Sequence, residues 1–209
     1  MKITRKVRLF PDFTWSDLRL AADEGRLDEI VISGDYLPLI LKDGQDIGLD
    51  VGKDKKGRIY FIFHNLMAKD HVMNWNWTNK GGWEASEMRR YVNEEVFQLL
   101  PDDLQEAIRP TRIIQVMDGE RIETEDKLFC LSFTQVFGGN FKKNHEPEDT
   151  QIDIFKTEKD RVKQRDGKTW YWWLRSATSA SPFGYVYISG DSGASTANAS
   201  YGVALGFCL

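Results

Sequence analysis

Few residues in this chain have the types and spacing for chemistry, and the most suggestive are Gly190, Asp191, Ser192 and Gly193. A GDSG run also occurs in loops that present a serine nucleophile, but a serine attacks only when a base beside it takes its proton. The three histidines are His64, His71 and His145, and none is spaced with another His, Cys or carboxylate in a triad or ligand pattern. GDSG therefore reads as a hairpin turn, with Gly190 and Gly193 free to take positive φ and Asp191 bonding its own backbone. The glycine runs at Gly138 and Gly190 lack the lysine of a phosphate loop. DDLQE at 102–106 and EPEDTQID at 146–153 match no calcium-loop spacing. The expectation is a protein that is not an enzyme, with no catalytic residue, no metal site and no cofactor.

What the chain offers instead is contact chemistry, concentrated at 169–209. An aromatic block, YWWLRS, comes first and an apolar block, GVALGFCL, comes last. Between them the residues are almost all Ser, Thr, Ala, Gly, Asn, Asp and Tyr. Tyrosine set among small polar residues is the composition of antibody combining loops, where a rigid amphipathic ring gives contact area at low entropy cost. From Ser176 to Tyr201 there is no Lys, Glu, Gln, Met or Trp, types common in the rest of the chain. A turn-rich segment explains part of that absence, but not the exclusion of Lys, Glu and Gln from exposed positions.

Those contacts need positioning elements. In YWWLRS, Trp172 and Leu174 point one way and Tyr171, Trp173 and Arg175 the other, which predicts a strand buried on both faces and closed by Arg175 in an ion pair or carbonyl clamp. In GVALGFCL, Val203, Leu205, Phe207 and Leu209 share one face. Ala204, Gly206 and Cys208 form a small-residue face for close packing, so removing this segment should unfold the protein. In the intervening stretch, Val186 and Ile188 are expected to face the core, with Tyr185, Tyr187 and Ser189 outward.

Upstream, 3–9 is expected as a short strand and 13–30 as a helix capped by Thr14 with Asp17, with Trp15, Leu18, Ala21 and Ala22 inward and Gly25 at its end. Residues 36–51 read as a hairpin around Asp43-Gly44. RIYFIFHNL at 58–66 is apolar on both faces and hence a central strand. From Glu84 the period shifts to that of helices, two of them end to end across the sheet, divided at Pro101 and stopped by Pro110. RIIQVMD at 112–118 and DKLFCLSFTQVFG at 126–138 carry strand signals. The charged segment 138–167 reads as a surface excursion or a partly helical insertion.

The bulk numbers narrow the function classes. With 209 residues the length favours one domain. A net charge of -4 and a pI near 5.5 leave no basic stripe for nucleic acid. No apolar run reaches the roughly 18 residues of a membrane span, which excludes membrane insertion. The N-terminus has no apolar h-region, so the expectation is synthesis in the cytoplasm without a signal peptide. Cys130 and Cys208 lie in apolar runs, expected as buried free thiols, with a disulfide the alternative. Five of the seven tryptophans fall in two clusters, Trp75, Trp77 and Trp83, then Trp172 and Trp173; such clusters usually anchor a core, with ligand stacking the alternative.

Four motifs in order carry a family resemblance: NKGGWEASEMRRYVN (79–93), LPDDLQEAIRP (100–110), DKLFCLSFTQVFG (126–138) and YWWLRSA…GVALGFCL. The chain resembles a family of uncharacterised bacterial and prophage proteins marked by these motifs, from about Phe10 onward. Ala177 departs from the family's usual Pro and affects only the local turn. Such proteins look like the C-type-lectin-fold variable proteins of diversity-generating retroelements, in which adenine rewriting turns Asn codons into many others but never into Lys, Glu, Gln, Met or Trp. That rule fits the missing residue types.

The resemblance implies an α+β fold, a single C-type-lectin-like domain over 1–209, with mixed or antiparallel sheets and two or three helices. Its 169–209 part would hold scaffold strands and a variable display region. The implied variable, ligand-binding positions are Thr178, Ser179, Ser181, Phe183, Gly184, Tyr185, Tyr187, Ser189, Asp191, Ser195, Thr196, Asn198, Ser200 and Tyr201, with Asn198 fitting an unaltered template residue. Structural roles fall to Trp83, Trp172, Trp173, Arg175 and Phe207. The implied partner is a protein or cell-surface ligand, with the chain carried on a larger phage or cell-surface assembly, including the virion. The alternative is a fixed glycan or small-molecule module using exposed Trp75, Trp77 and Trp83. Hydrolysis at Ser192 is the weakest reading.

Overall fold

The computed structural model describes residues 13–141, 146–178 and 182–209. The expected strand at 3–9 lies outside these. Helix α1 spans Trp15–Asp23, and its Thr14 cap forms the reciprocal box with Asp17 that the sequence predicts; Leu18 and Ala21 are its buried face. A short α2, Leu27–Ile30, follows. Strand β1 (Tyr36–Leu37) pairs with β2 (Leu49–Lys53), and β2 with β3 (Ile59–Phe63). Asp43-Gly44 turns the chain between β1 and β2, with Gly44 at φ 89°. β4 is His71–Val72.

The region from Glu84 folds as one bent helix, α3 (Glu87–Tyr91), a π turn (Val92–Val96) and α4 (Phe97–Leu99), then α5 (Asp102–Ala107) after Pro101. Met88, Val92, Val96, Leu100 and Leu104 are buried along this stretch, as the helical period predicts. Next comes a hairpin, β5 (Thr111–Met117) with β6 (Glu120–Asp126), turned at Asp118-Gly119. β6 carries mostly exposed polar side chains, which hid it from an apolar-period search.

The strand expected over 126–138 is corrected. Only β7, Phe129–Cys130, is strand; Ser132 then caps α6, Phe133–Phe137, through a box with Gln135. The Ser-x-x-Gln spacing sets the helix start, and it outweighs the β-prone Phe and Val that follow. The charged segment is partly helical, one of its two expected forms, and is more than a surface excursion. It includes α7 (Glu158–Arg161) and β8 (Lys163–Arg165), which pairs with β9 (Lys168–Trp170) just beyond it. It also drives Glu146, Ile152, Phe155 and Lys163 into the interior.

The terminal elements are β10 (Trp172–Ala177), β11 (Pro182–Val186), β12 (Ser192–Thr196), β13 (Ser200–Tyr201) and β14 (Leu205–Phe207). Among the described residues every strand pair is antiparallel, giving an α+β architecture of several small sheets with short helices. The largest sheet has the order β1-β2-β3-β14-β7. β3 is thus central, and the late strand β14 fills the space between it and β7. Gly206 is what allows this fit, since a Cβ there would lie 3.0 Å from Leu131 and 3.3 Å from Phe129. One hydrophobic cluster runs from Leu18 through Phe61, Trp83, Phe129 and Trp172 to Phe207. Cys130 is buried and Cys208 half-buried, and both are free thiols. Among the described residues no helix is long and apolar enough to cross a membrane.

Candidate functional site

The terminal strands build a three-stranded sheet, β10-β11-β12, on the core. All of β10 is buried. Its Trp172 donates from Nε1 to the Arg161 carbonyl at 2.9 Å, and Trp173 from Nε1 to the His71 carbonyl at 2.9 Å. Both indoles are therefore buried with their N–H satisfied, as large aromatics in a core require. Arg175 is both clamp and ion pair: Nη1 donates to the Cys130 carbonyl and to Gln135 Oε1, each at 2.8 Å, and Nη2 pairs with Asp149. Trp83 is buried too, with Nε1 on Asp126 Oδ2 at 2.9 Å and its backbone N–H on Gln115 Oε1 at 3.0 Å.

A second buried group was not legible in the sequence. Glu146 accepts from Ser176 Oγ at 2.6 Å, and Gln115 Nε2 reaches the Arg175 carbonyl at 3.3 Å. Burial pushes the Glu146 carboxyl above the usual range, opposed by the nearby Arg175 charge. Asn79 fixes the other end of β10, donating from Nδ2 to the carbonyls of Thr178 and Pro182.

On this base sits an aromatic face. Trp173, Tyr185 and Tyr201 gather with Tyr171 and Tyr187. Their ring centroids lie 4.7 Å apart for Trp173–Tyr201, 4.8 Å for Tyr185–Tyr201, 4.9 Å for Tyr185–Tyr187 and 5.5 Å for Tyr171–Tyr187. Tyr201 Oη reaches Ser195 Oγ at 3.2 Å. Burial, then hydrogen bonding with Tyr187, pushes the Tyr185 phenol well above its ordinary value. No carboxylate or cation belongs to the cluster, so its chemistry is that of rings and hydroxyls. His71, paired in register with Tyr201, stacks on Tyr91 at 4.1 Å and meets Trp75 edge-on at 5.7 Å, extending the face.

The positions expected to vary divide in three. Tyr187, Ser189, Asp191, Thr196, Asn198 and Ser200 are exposed, and Ser195 and Tyr201 are half-buried. Thr178, Phe183, Gly184 and Tyr185 are buried, which corrects their placement as outward display positions. Ser179 and Ser181 lie outside the described residues. Tyr185 is only 6% exposed whereas Tyr187 is 39% exposed, so the expected outward pair is split. Ile188, expected inward, is 44% exposed because the chain turns immediately after Val186 and carries it past the edge of the core.

That turn is a three-residue hairpin loop closed by Tyr187 N–H to the Asp191 carbonyl at 2.8 Å, with Gly190 at φ 92°. Gly193 does not take positive φ, a correction. Its missing Cβ instead admits the Tyr185 ring, which would lie 2.4 Å from such an atom. Ser192 is exposed, and among the described residues no histidine bonds it.

Trp75 and Trp77 are 71% and 67% exposed, against the core role expected of most of that cluster. Of the histidines, His64 pairs with Asp50 at 2.9 Å, His71 bonds the Val72 carbonyl at 2.7 Å, and His145 lies outside the described residues. Among the described residues no group of His, Cys, Asp and Glu is arranged to hold a metal.

A family model described as a domain of unknown function, DUF6273, matches residues 59–209. The chain belongs to that family. The DUF6273 region starts with β3 and runs through β14, so it contains the whole aromatic face and its support. It leaves out α1, α2, β1 and β2, which pack against it. No curated protein and no solved structure matches the chain.

Proposed function

We propose that this protein is a binding protein that presents the face of Tyr171, Tyr187, Ser195 and Tyr201, backed by the buried Tyr185, to a protein or cell-surface ligand. The observation that carries the proposal is the mounting of a half-exposed tyrosine cluster on the fully buried Trp173, flanked by an uncharged run of small residues. Rings held by a rigid base lose little freedom on binding, and surrounding small side chains are replaceable without loss of fold. We read the fold as C-type-lectin-like, supported by the late return of β14 into the central sheet and by a display stretch set between two buried strands. We further propose that the exposed subset of the variable positions is diversified by a retroelement, on a phage receptor-binding or host-surface protein. The residue types missing from 176–201 support that step.

The test pairs binding with stability. Tyr187→Ala should shift the melting temperature by less than about 4 °C yet abolish capture of host surface proteins displayed as a library. Retained capture would refute the display reading. A near-copy of the 3′ coding repeat with Asn codons at the exposed variable positions, beside a reverse transcriptase gene, is the expected locus; a locus lacking both would refute diversification.

The exposure of Trp75 and Trp77 favours a second reading, a fixed glycan or small-molecule site beside His71. It requires that Trp75→Ala with Trp77→Ala remove binding on a glycan array while Tyr187→Ala leaves it intact.

A further inference from the structure

We propose that the outer edge of β12 binds an extended segment of a partner polypeptide through main-chain hydrogen bonds, so that the ligand adds a fourth strand to β10-β11-β12. This rests on the display reading and specifies the kind of ligand.

The hairpin fixes which groups are open. Tyr187 N–H donates to the Asp191 carbonyl, and Gly190 N–H to the Tyr187 carbonyl at 2.9 Å. Bonded and non-bonded pairs alternate along an antiparallel ladder. Gly193 and Ser195, opposite Tyr185 and Phe183, therefore spend their main-chain groups on β11. Ser192 and Ala194 direct theirs outward, as does the Thr196 N–H, while the Thr196 carbonyl accepts from Ala199 at 3.0 Å. Among the described residues these outward groups have no partner.

Natural edges of this kind are blunted by Lys, Pro, a bulge or a covering element. Among the described residues β12 has none: its sequence is SGAST, its register with β11 is unbroken, and no charge occurs from Ser192 to Tyr201. The edge is continuous with the tyrosine face. The Tyr185 ring crosses beneath Gly193, and Tyr201 reaches Ser195, so rings lie where alternate side chains of an added strand would fall. An uncharged edge beside an aromatic shelf suits an uncharged segment with an apolar or aromatic residue at every second position. Main-chain pairing would also persist when the side chains of Ser195 or Thr196 are replaced, giving a variable surface one constant source of affinity.

The test uses a phage-displayed library of random linear peptides selected on the full chain. Bound peptides should raise hydrogen-exchange protection of the Ser192, Ala194 and Thr196 amides, leaving Gly193 and Ser195 unchanged. Ala194→Pro, which removes an outward donor, should weaken the same peptides by roughly tenfold or more, whereas Thr196→Ala should not. Bound peptides without the alternating protection would overturn the proposal even if the proline variant failed to fold, because that measurement uses the unaltered chain. The same protection appearing with protein concentration alone would mean that a second copy occupies the edge, which also overturns it. Failure to enrich any linear peptide, with Tyr187-dependent capture of folded surface proteins intact, would overturn the strand proposal and leave the display reading standing.

Discussion

Tyr185 and Tyr187 stand two residues apart on one face of the same hairpin, yet burial separates them. Tyr185 is packed between Trp173 and Tyr201 with its ring over Gly193, so Tyr185→Ala should cost about 3 kcal/mol and lower the denaturation midpoint. A midpoint unchanged by that substitution would place the ring in solvent. Tyr187 lies at the cluster's rim and should cost less than about 1 kcal/mol.

Glu146 makes a different prediction. An acid raised above its ordinary value of about 4.3 binds its proton more tightly in the folded chain than in the unfolded one. Stability is therefore full below that value and declines as pH rises through the folded value. Glu146→Gln should remove this decline, so the difference in melting temperature between the variant and the wild type should grow from about pH 4 to about pH 7. Parallel curves would show that the carboxyl carries no such penalty.

At the scale of elements, the loop from Tyr187 to Asp191 is held by its neighbour as well as by its own hydrogen bonds. Gly190 lies against α7, where a Cβ would come within 1.9 Å of the Glu158 carbonyl oxygen. Gly190→Ala would meet both that contact and a positive φ, and should cost roughly 2 kcal/mol or more, read as a lower unfolding midpoint. A neutral effect would mean that the hairpin does not rest on α7.

Local signals predicted much of this scale. The Thr14 box, the Asp43-Gly44 turn and the two-faced apolar β3 are short-range features, and they appear as expected. The strand expected through Phe133–Phe137 is a helix, because a capping box decides what apolar content leaves open. Alternation misjudged Tyr185 because a Tyr-rich strand looks the same whether its rings meet solvent or one another. Gly193, eight residues on, is what lets that ring in.

Across the whole molecule, the scaffold is a polar network as much as an apolar core. Arg175 ties β10 to β7, α6 and the segment carrying Asp149, while Gln115 joins Trp83 to the Arg175 carbonyl. These links span long sequence separations, so composition and period gave no sign of them, and 138–167 looked like solvent-facing chain. Trp172 lies where the aromatic strand meets Phe155 and the Arg161 carbonyl. Trp172→Ala should cost roughly 3 to 5 kcal/mol, measured by denaturant titration; a normally melting variant would contradict the role given to β10.

The place of β14 also bears on how the fold responds to a truncated message. Its strand fills the gap between β3 and β7, yet it is encoded downstream of β10, β11, β12 and β13. A frameshift or stop codon arising within that stretch deletes the piece that joins two early strands. The ribosome would then release a chain with an open central sheet, fit for proteolysis instead of assembly. The order of the segments thus makes closure of the central sheet depend on the last part of the message: only chains read in frame through β14 complete it.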